Sequence, residues 1–255
     1  MCIRDSSQAG LRRRAGLPLP RLTGHPGSPG GAQQPVAACA KLSDVDADTS
    51  VAARLAALCL DSRGRLTQQA LAGVAVRCGL VLDLALADRL RLTDDSIELD
   101  ARPTGFRAVD RLLLAMQAET ERPLDSWLDE RRVGLPQVVD ALLAEGRWHR
   151  QRDLFGRARY AVADRAALDR DLDLSPTAAS SAPDVAVAVL GGLAGLIGAA
   201  RSQDLTAAAP EVPDEVLAAM GGAEWALRSA VDHLATERAR HAYSAGVLRA
   251  GGGWG

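Results

Sequence analysis

From Ser50 onward the apolar positions of the chain recur at helical spacing. In "SVAARLAALCLD" they form a face of Val51, Leu55, Leu58 and Cys59, with Ser50 placed as an N-cap. "SRGR" interrupts that pattern. The stretch at about 67–87, "TQQALAGVAVRCGLVLDLALA", is apolar nearly all round and predicts a central helix, with Arg77 the one strong charge in its middle. "RLRLTDDSIELDA" alternates instead, which predicts a short strand pair turning at Asp94-Asp95. A third helix starts in "RPTGFRAVDRLLLAMQAE", with Thr104 as its cap and Val109, Leu112, Leu113 and Met116 on its apolar face.

Further on, "PLDSWLDERR" predicts a short helix packed through Trp127. "LPQVVDALLAEG" predicts another, with Pro136 at a first helical position and Gly146 as the stop. Two short strands, "RWHRQ" and "RARYAVA", then flank "RDLFG", with Gly156 at the turn of a hairpin. A short helix over "RAALDRDL" and a loop over "SPTAASSAP" lead to the apolar run at 185–200. That run falls short of the ~20 residues of a spanning helix and reads as a core helix despite its Gly191 and Gly195. "PDEVLAAM" and a long amphipathic helix at about 223–245 close the pattern.

The fold expected is mainly α: a single globular helical domain at 48–250 with a small β-hairpin, behind a disordered N-terminal segment at 1–47. That segment is rich in Arg, Gly and Pro and has too few large apolar groups to offset ordering entropy. Its opening "MCIRDS" resembles an adapter-derived scar of translated reads, so no function is expected there.

Composition narrows the classes. Apolar residues make up 47% of the 255, dominated by the helix formers Ala and Leu. A formal charge of −2 and a pI near 6.1 argue against a chain that coats nucleic acid, so any anion site must be local. Cys2, Cys39, Cys59 and Cys78 form no C-x-x-C spacing, and the four histidines form no paired ligand pattern. No metal, no cofactor and a reducing compartment are therefore expected. No P-loop, G-x-S-x-G, G-x-G-x-x-G or H-E-x-x-H occurs, and no catalytic residue or enzyme activity is expected.

Three features stand above that background. Arg77 lies in an apolar helix, where a guanidinium must snorkel, pair with an acid such as Asp83 or Asp61, or face an anion. Arg131 and Arg132 precede the helix near Pro136, where they either favour an anion or form a solvated pair bridged to Asp129 or Glu130. The hairpin carries Arg147, Arg150, Arg152, Arg157 and Arg159 on its arms and Leu154 and Phe155 at its tip. That order suits a membrane interface if the tip is exposed, and a core contact if Phe155 folds back.

Taken together, "LCLDSRGRL", "GLVLDLALADRLRL", "RPTG" followed by "VDRLL", "SWLDERR", "LLAEGRW" and "LFGRARYAVAD" resemble, in order and spacing, the Golgi phosphoprotein 3 family, of the type with relatives in actinobacteria. The resemblance implies a mostly helical, non-enzymatic peripheral membrane protein. Its eukaryotic members bind phosphatidylinositol 4-phosphate in a shallow basic pocket beside a membrane-entering hairpin. By the same resemblance, head-group binding falls on Arg77 and Arg132, with Gln68 at a third pocket position and Arg131 beside them to compensate part of the charge, and the membrane hairpin falls on 147–160, with Arg152, Leu154, Phe155 and Arg157 about its tip. The family's pocket tryptophan position holds Gln68 here, and the second arginine of its pair falls on Leu135. The implied partners are an anionic phospholipid membrane and a protein cargo, without nucleic acid, at the cytoplasmic face of a membrane. Two other readings stay open: a winged-helix-like nucleic-acid binder built on "LPQVVDALLAEG" plus the hairpin, and a soluble adaptor whose tip meets a protein.

Overall fold

In a computed structural model of the protein, the residues described are 45–67, 71–93, 96–198 and 212–251. They all fall in one compact unit spanning 41–255. The expected N-terminal segment lies outside the described residues except for 45–47. There the Val45 N–H donates to the Thr104 carbonyl at 2.7 Å, and Val45 and Ala47 pack on the core.

Helix α1 (Val51–Leu58) starts where Ser50 Oγ accepts from the Ala53 N–H, as its cap position predicts. Helix α2 (Ala72–Leu86) is buried on nearly every side and forms the centre. Its start at Ala72 is later than the pattern suggested; residues 68–70 lie outside the described residues. The two helices cross closely at Gly79, where a Cβ would lie 2.9 Å from the Ala52 backbone. Asp83 of α2 locks the crossing. It accepts from Ser50 Oγ at 2.7 Å, from the Val51 N–H at 2.7 Å and from the Ala52 N–H at 3.1 Å, donors that the start of α1 would otherwise leave unfilled.

Strands β1 (Leu90–Thr93) and β2 (Ser96–Leu99) pair antiparallel from Leu90↔Leu99 to Thr93↔Ser96, as the alternation predicts; the Asp94-Asp95 turn lies outside the described residues. Helix α3 (Arg107–Ala118) buries Val109, Leu112, Leu113 and Met116. Thr104 is not its cap. Phe106 holds that position, and Thr104 binds Asp110 through its N–H at 2.6 Å and its hydroxyl at 2.8 Å. Helices α4 (Leu124–Leu128), with Trp127 buried, and α5 (Leu135–Ala144) lead to Gly146, whose φ of +71° ends the helical run. Strands β3 (Trp148–Arg152) and β4 (Ala158–Val162) form the hairpin.

Helices α6 (Arg165–Leu172) and α7 (Ala182–Leu193) follow, and Arg54 ties both to α1 by binding Asp171 at 2.7 Å and Asp184 at 2.8 Å. Helix α7 is buried and stops at Gly195, whose φ is +71°, with the Leu196 N–H donating to the Gly191 carbonyl at 2.7 Å. Among the described residues no helix is long and apolar enough to cross a membrane. Helices α8 (Asp214–Ala218) and α9 (Glu224–Gly251) complete a mainly α fold with two small strand pairs. Cys59 and Cys78 are both buried in the core, and burial pushes the Cys78 thiol up to about 12.

Candidate functional site

The hairpin begins in the core and ends in solvent. Trp148 is buried at its foot, with its ring centroid 5.8 Å from that of Tyr160. Register runs from Trp148↔Val162 to Arg152↔Ala158. Beyond the last pair, Asp153 organises the turn: Oδ1 accepts from the Phe155 and Arg157 N–H groups, each at 2.9 Å. Its own N–H donates to the Arg157 carbonyl, and Gly156, at φ +75°, returns an N–H to the Asp153 carbonyl. Burial pushes the Asp153 carboxyl up, but the Arg157 and Phe155 N–H groups and Arg65 outweigh it and hold it below the usual range.

The turn so fixed presents its apolar pair outward. Leu154 is fully exposed and Phe155 is 83% exposed, so the reading in which Phe155 folds into the core does not hold. Of the five arm arginines, two are used internally: Arg147 binds Asp46 and Asp48, and Arg159 lies 3.7 Å from Asp153. Arg150, Arg152 and Arg157 are exposed and make no ion pair among the described residues.

A brace distant in sequence supports the arms. In the loop 61–66 the Gly64 carbonyl accepts from the Tyr160 N–H at 2.7 Å, and Arg65 Nη2 binds Asp153 Oδ2 at 2.5 Å. Gly64 has φ +72°, and a Cβ there would meet the Tyr160 carbonyl oxygen at 2.5 Å. The sequence signal for the Asp153 turn was D-x-x-G; for the loop brace there was no local signal.

The second cluster surrounds Arg77. Its side chain passes from α2 against Gly134, where a Cβ would lie 3.2 Å from its Cγ, and Nε donates to the Leu128 carbonyl at 2.8 Å. Neither suggested acid partner is its own: Asp83 caps α1, and Asp61 accepts from the Arg63 and Arg65 N–H groups. Among the described residues no carboxylate reaches ion-pair distance of Arg77. Burial lowers its pKa, Asp129 and Glu237 act from further off to raise it, and Arg131 lowers it, so Arg131 shares its electrostatic neighbourhood.

Arg132 is exposed and forks onto Glu130, with Nε at 3.0 Å and Nη2 at 2.9 Å, which is the internal bridge among the readings of this pair. These bonds from Arg132 lead the effects that bring the Glu130 carboxyl down to about 2. Glu130 is also bound by Arg122 at 2.9 Å, and Arg122 stacks over Trp127 at 4.2 Å. Gln68 lies outside the described residues. On α5, Gln137, the residue a recognition helix would need free, accepts from the Gly134 N–H at 2.9 Å.

Compared with known proteins, residues 51–234 match a family model described as Golgi phosphoprotein 3 (GPP34). No curated protein matches the chain.

Proposed function

Since the chain belongs to the Golgi phosphoprotein 3 family, we propose that it is a peripheral membrane protein that reads anionic phospholipid head groups. The observation that carries this reading is the hairpin tip, with Leu154 and Phe155 in water at the end of an arm bearing three arginines without ion pairs. Leaving two large apolar side chains fully hydrated costs free energy that insertion recovers, about 1.5–3 kcal/mol for each. Arg150, Arg152 and Arg157 would then lie among head groups, where each basic residue contributes about 1 kcal/mol on an anionic leaflet. The surface such a binder meets is the cytoplasmic leaflet, where anionic lipids concentrate.

Head-group recognition is assigned to Arg77, Arg131, Arg132 and Gln68. Arg77 supplies a half-buried cation that no described carboxylate neutralises, and Arg131 adds charge beside it. Arg132 must exchange Glu130 for the lipid phosphate. Arg122 keeps Glu130 paired when Arg132 leaves it. The head group expected from the family is a phosphoinositide of the phosphatidylinositol 4-phosphate type. With Gln68 in place of an inserting tryptophan, charge contributes more of the affinity than stacking.

The test is co-sedimentation with phosphatidylcholine vesicles, plain or carrying phosphatidylglycerol or phosphatidylinositol 4-phosphate. The protein is expected to pellet with both anionic preparations. Leu154→Ser with Phe155→Ser should weaken binding by roughly 3 kcal/mol, about a hundredfold. Wild-type protein left in the supernatant with every vesicle at low salt would overturn the reading. Binding to duplex DNA with a steep salt dependence would favour the nucleic-acid alternative.

A further inference from the structure

Along one side of the hairpin the brace loop, both strands and the first turn of α6 line an open cavity of about 280 Å³. Arg63, Arg159 and Arg165 line it together with Gln151 and Tyr160, and no carboxylate is part of its lining. The acids close by lie outside the lining. Asp61 accepts two backbone N–H groups, and Asp153 is held by Arg65 and the turn, with Arg159 Nη2 a longer 3.7 Å away. Asp169 meets Arg165 at 3.1 Å in an exposed i,i+4 pair, a kind that contributes little in water. Arg63 makes no ion pair among the described residues, and Arg159 Nε is a buried donor without a hydrogen-bond partner.

Three guanidinium groups around one small space, with no acid in the wall, match an oxyanion that offers several acceptors at once. We propose that this cavity is a second anion site, separate from the Arg77 cluster, and that it takes a phosphate group. Its volume lies at the small end of ligand pockets, roughly 300 Å³ upward, which suits one phosphate and its ester stem.

Its height on the hairpin indicates the source of that phosphate. Gln151 and Arg159 are register partners, three and four residues back from Leu154 and Phe155. At about 3.3 Å per residue the tip-side edge of the cavity stands roughly 10–13 Å from the tip, and its Val162 edge roughly 23 Å. A tip seated about 5–10 Å below the head-group boundary brings the Gln151–Arg159 edge of the cavity to the phosphate layer. The membrane source therefore rests on the membrane reading above; the phosphate site itself does not.

The test pairs a soluble probe with a membrane one. Arg63→Gln with Arg165→Gln removes two exposed side chains, and thermal unfolding checks that the fold survives. Titration of the full chain with inorganic phosphate at low salt should saturate, and the double variant should bind on the order of twentyfold more weakly, the loss of charge-assisted hydrogen bonds from two guanidinium groups. The same double variant should lose affinity for phosphatidylcholine vesicles carrying phosphatidic acid. Loss on both probes assigns the site to a lipid phosphate. Loss of inorganic phosphate alone assigns it to a soluble phosphate ester. No saturable phosphate binding, or binding that the double variant retains, overturns the site. Phosphate binding by a wild-type protein that ignores all vesicles would sink the membrane reading and leave this site standing.

Discussion

At the scale of single residues, Arg77 and Asp83 show how one helix separates two charges. They are six positions apart, so they project about 120° from each other around α2. That is why the pairing suggested by their proximity in sequence does not form. Asp83 caps α1, and Arg77 reaches the α4 carbonyl end at Leu128. Arg77→Met keeps the stem that packs on Gly134 and removes the buried charge. It also leaves the Leu128 carbonyl unbonded, and the two effects oppose each other. Unfolding stability should change by only about 1 kcal/mol, while binding to phosphatidylinositol 4-phosphate vesicles falls at least tenfold. A large loss of stability with unchanged lipid binding would make Arg77 structural. Asp83 predicts a pH effect. Burial pushes its carboxyl from the ordinary 3.8 up to about 7, against the hydrogen bonds it accepts. A folded-state value above the unfolded one means that its stabilisation is complete below about pH 4 and is lost as pH rises through 7. Denaturant unfolding between pH 4 and 8 should show that decline, and Asp83→Asn should flatten it.

At the scale of elements, the hairpin was readable because its information is local. Strand alternation, Gly156 at the turn and arginines on both arms are contiguous in the chain, and the structure places Leu154 and Phe155 at the tip. The brace that holds it was not readable. Gly64 and Tyr160 meet across nearly a hundred residues, and "SRGR" alone announces only a helix break. For the same reason Arg63 and Arg165 carried no signal as partners of Arg159. Gly64→Ala tests the brace. Its positive φ and the 2.5 Å approach to the Tyr160 carbonyl oxygen both oppose a Cβ. The expected cost is about 1–3 kcal/mol of stability. Amide exchange should rise selectively at β4, Tyr160 first, with the core of α2 still protected. Uniform exchange changes would mean that the loop does not hold the hairpin.

At the scale of the whole molecule, the helical class followed from Ala and Leu periodicity, and α2 was recognisable as the centre because its apolar positions leave no polar face. The relative placement of Arg77, Arg131 and Arg132 could not be read that way, since it depends on where α4 and α5 land against α2. The chain carries a formal −2 and a pI near 6.1, so net charge does not draw it to an anionic surface. On the proposed membrane reading the attraction comes from one face, and the hairpin joins arginines without ion pairs among the described residues to an apolar end. Two contributions with different salt responses then add. Insertion of Leu154 and Phe155 is nearly indifferent to salt, whereas the arginine contribution fades as the screening length shrinks from about 10 Å at 0.1 M to about 3 Å at 1 M. Binding to phosphatidylglycerol vesicles should therefore fall across that range toward a plateau set by the tip. Arg150→Gln, Arg152→Gln and Arg157→Gln together should start near the plateau and show little slope, since about 1 kcal/mol per arginine has already been removed. A wild-type affinity that does not respond to salt would leave the tip as the whole of the interaction and remove the arginines from it.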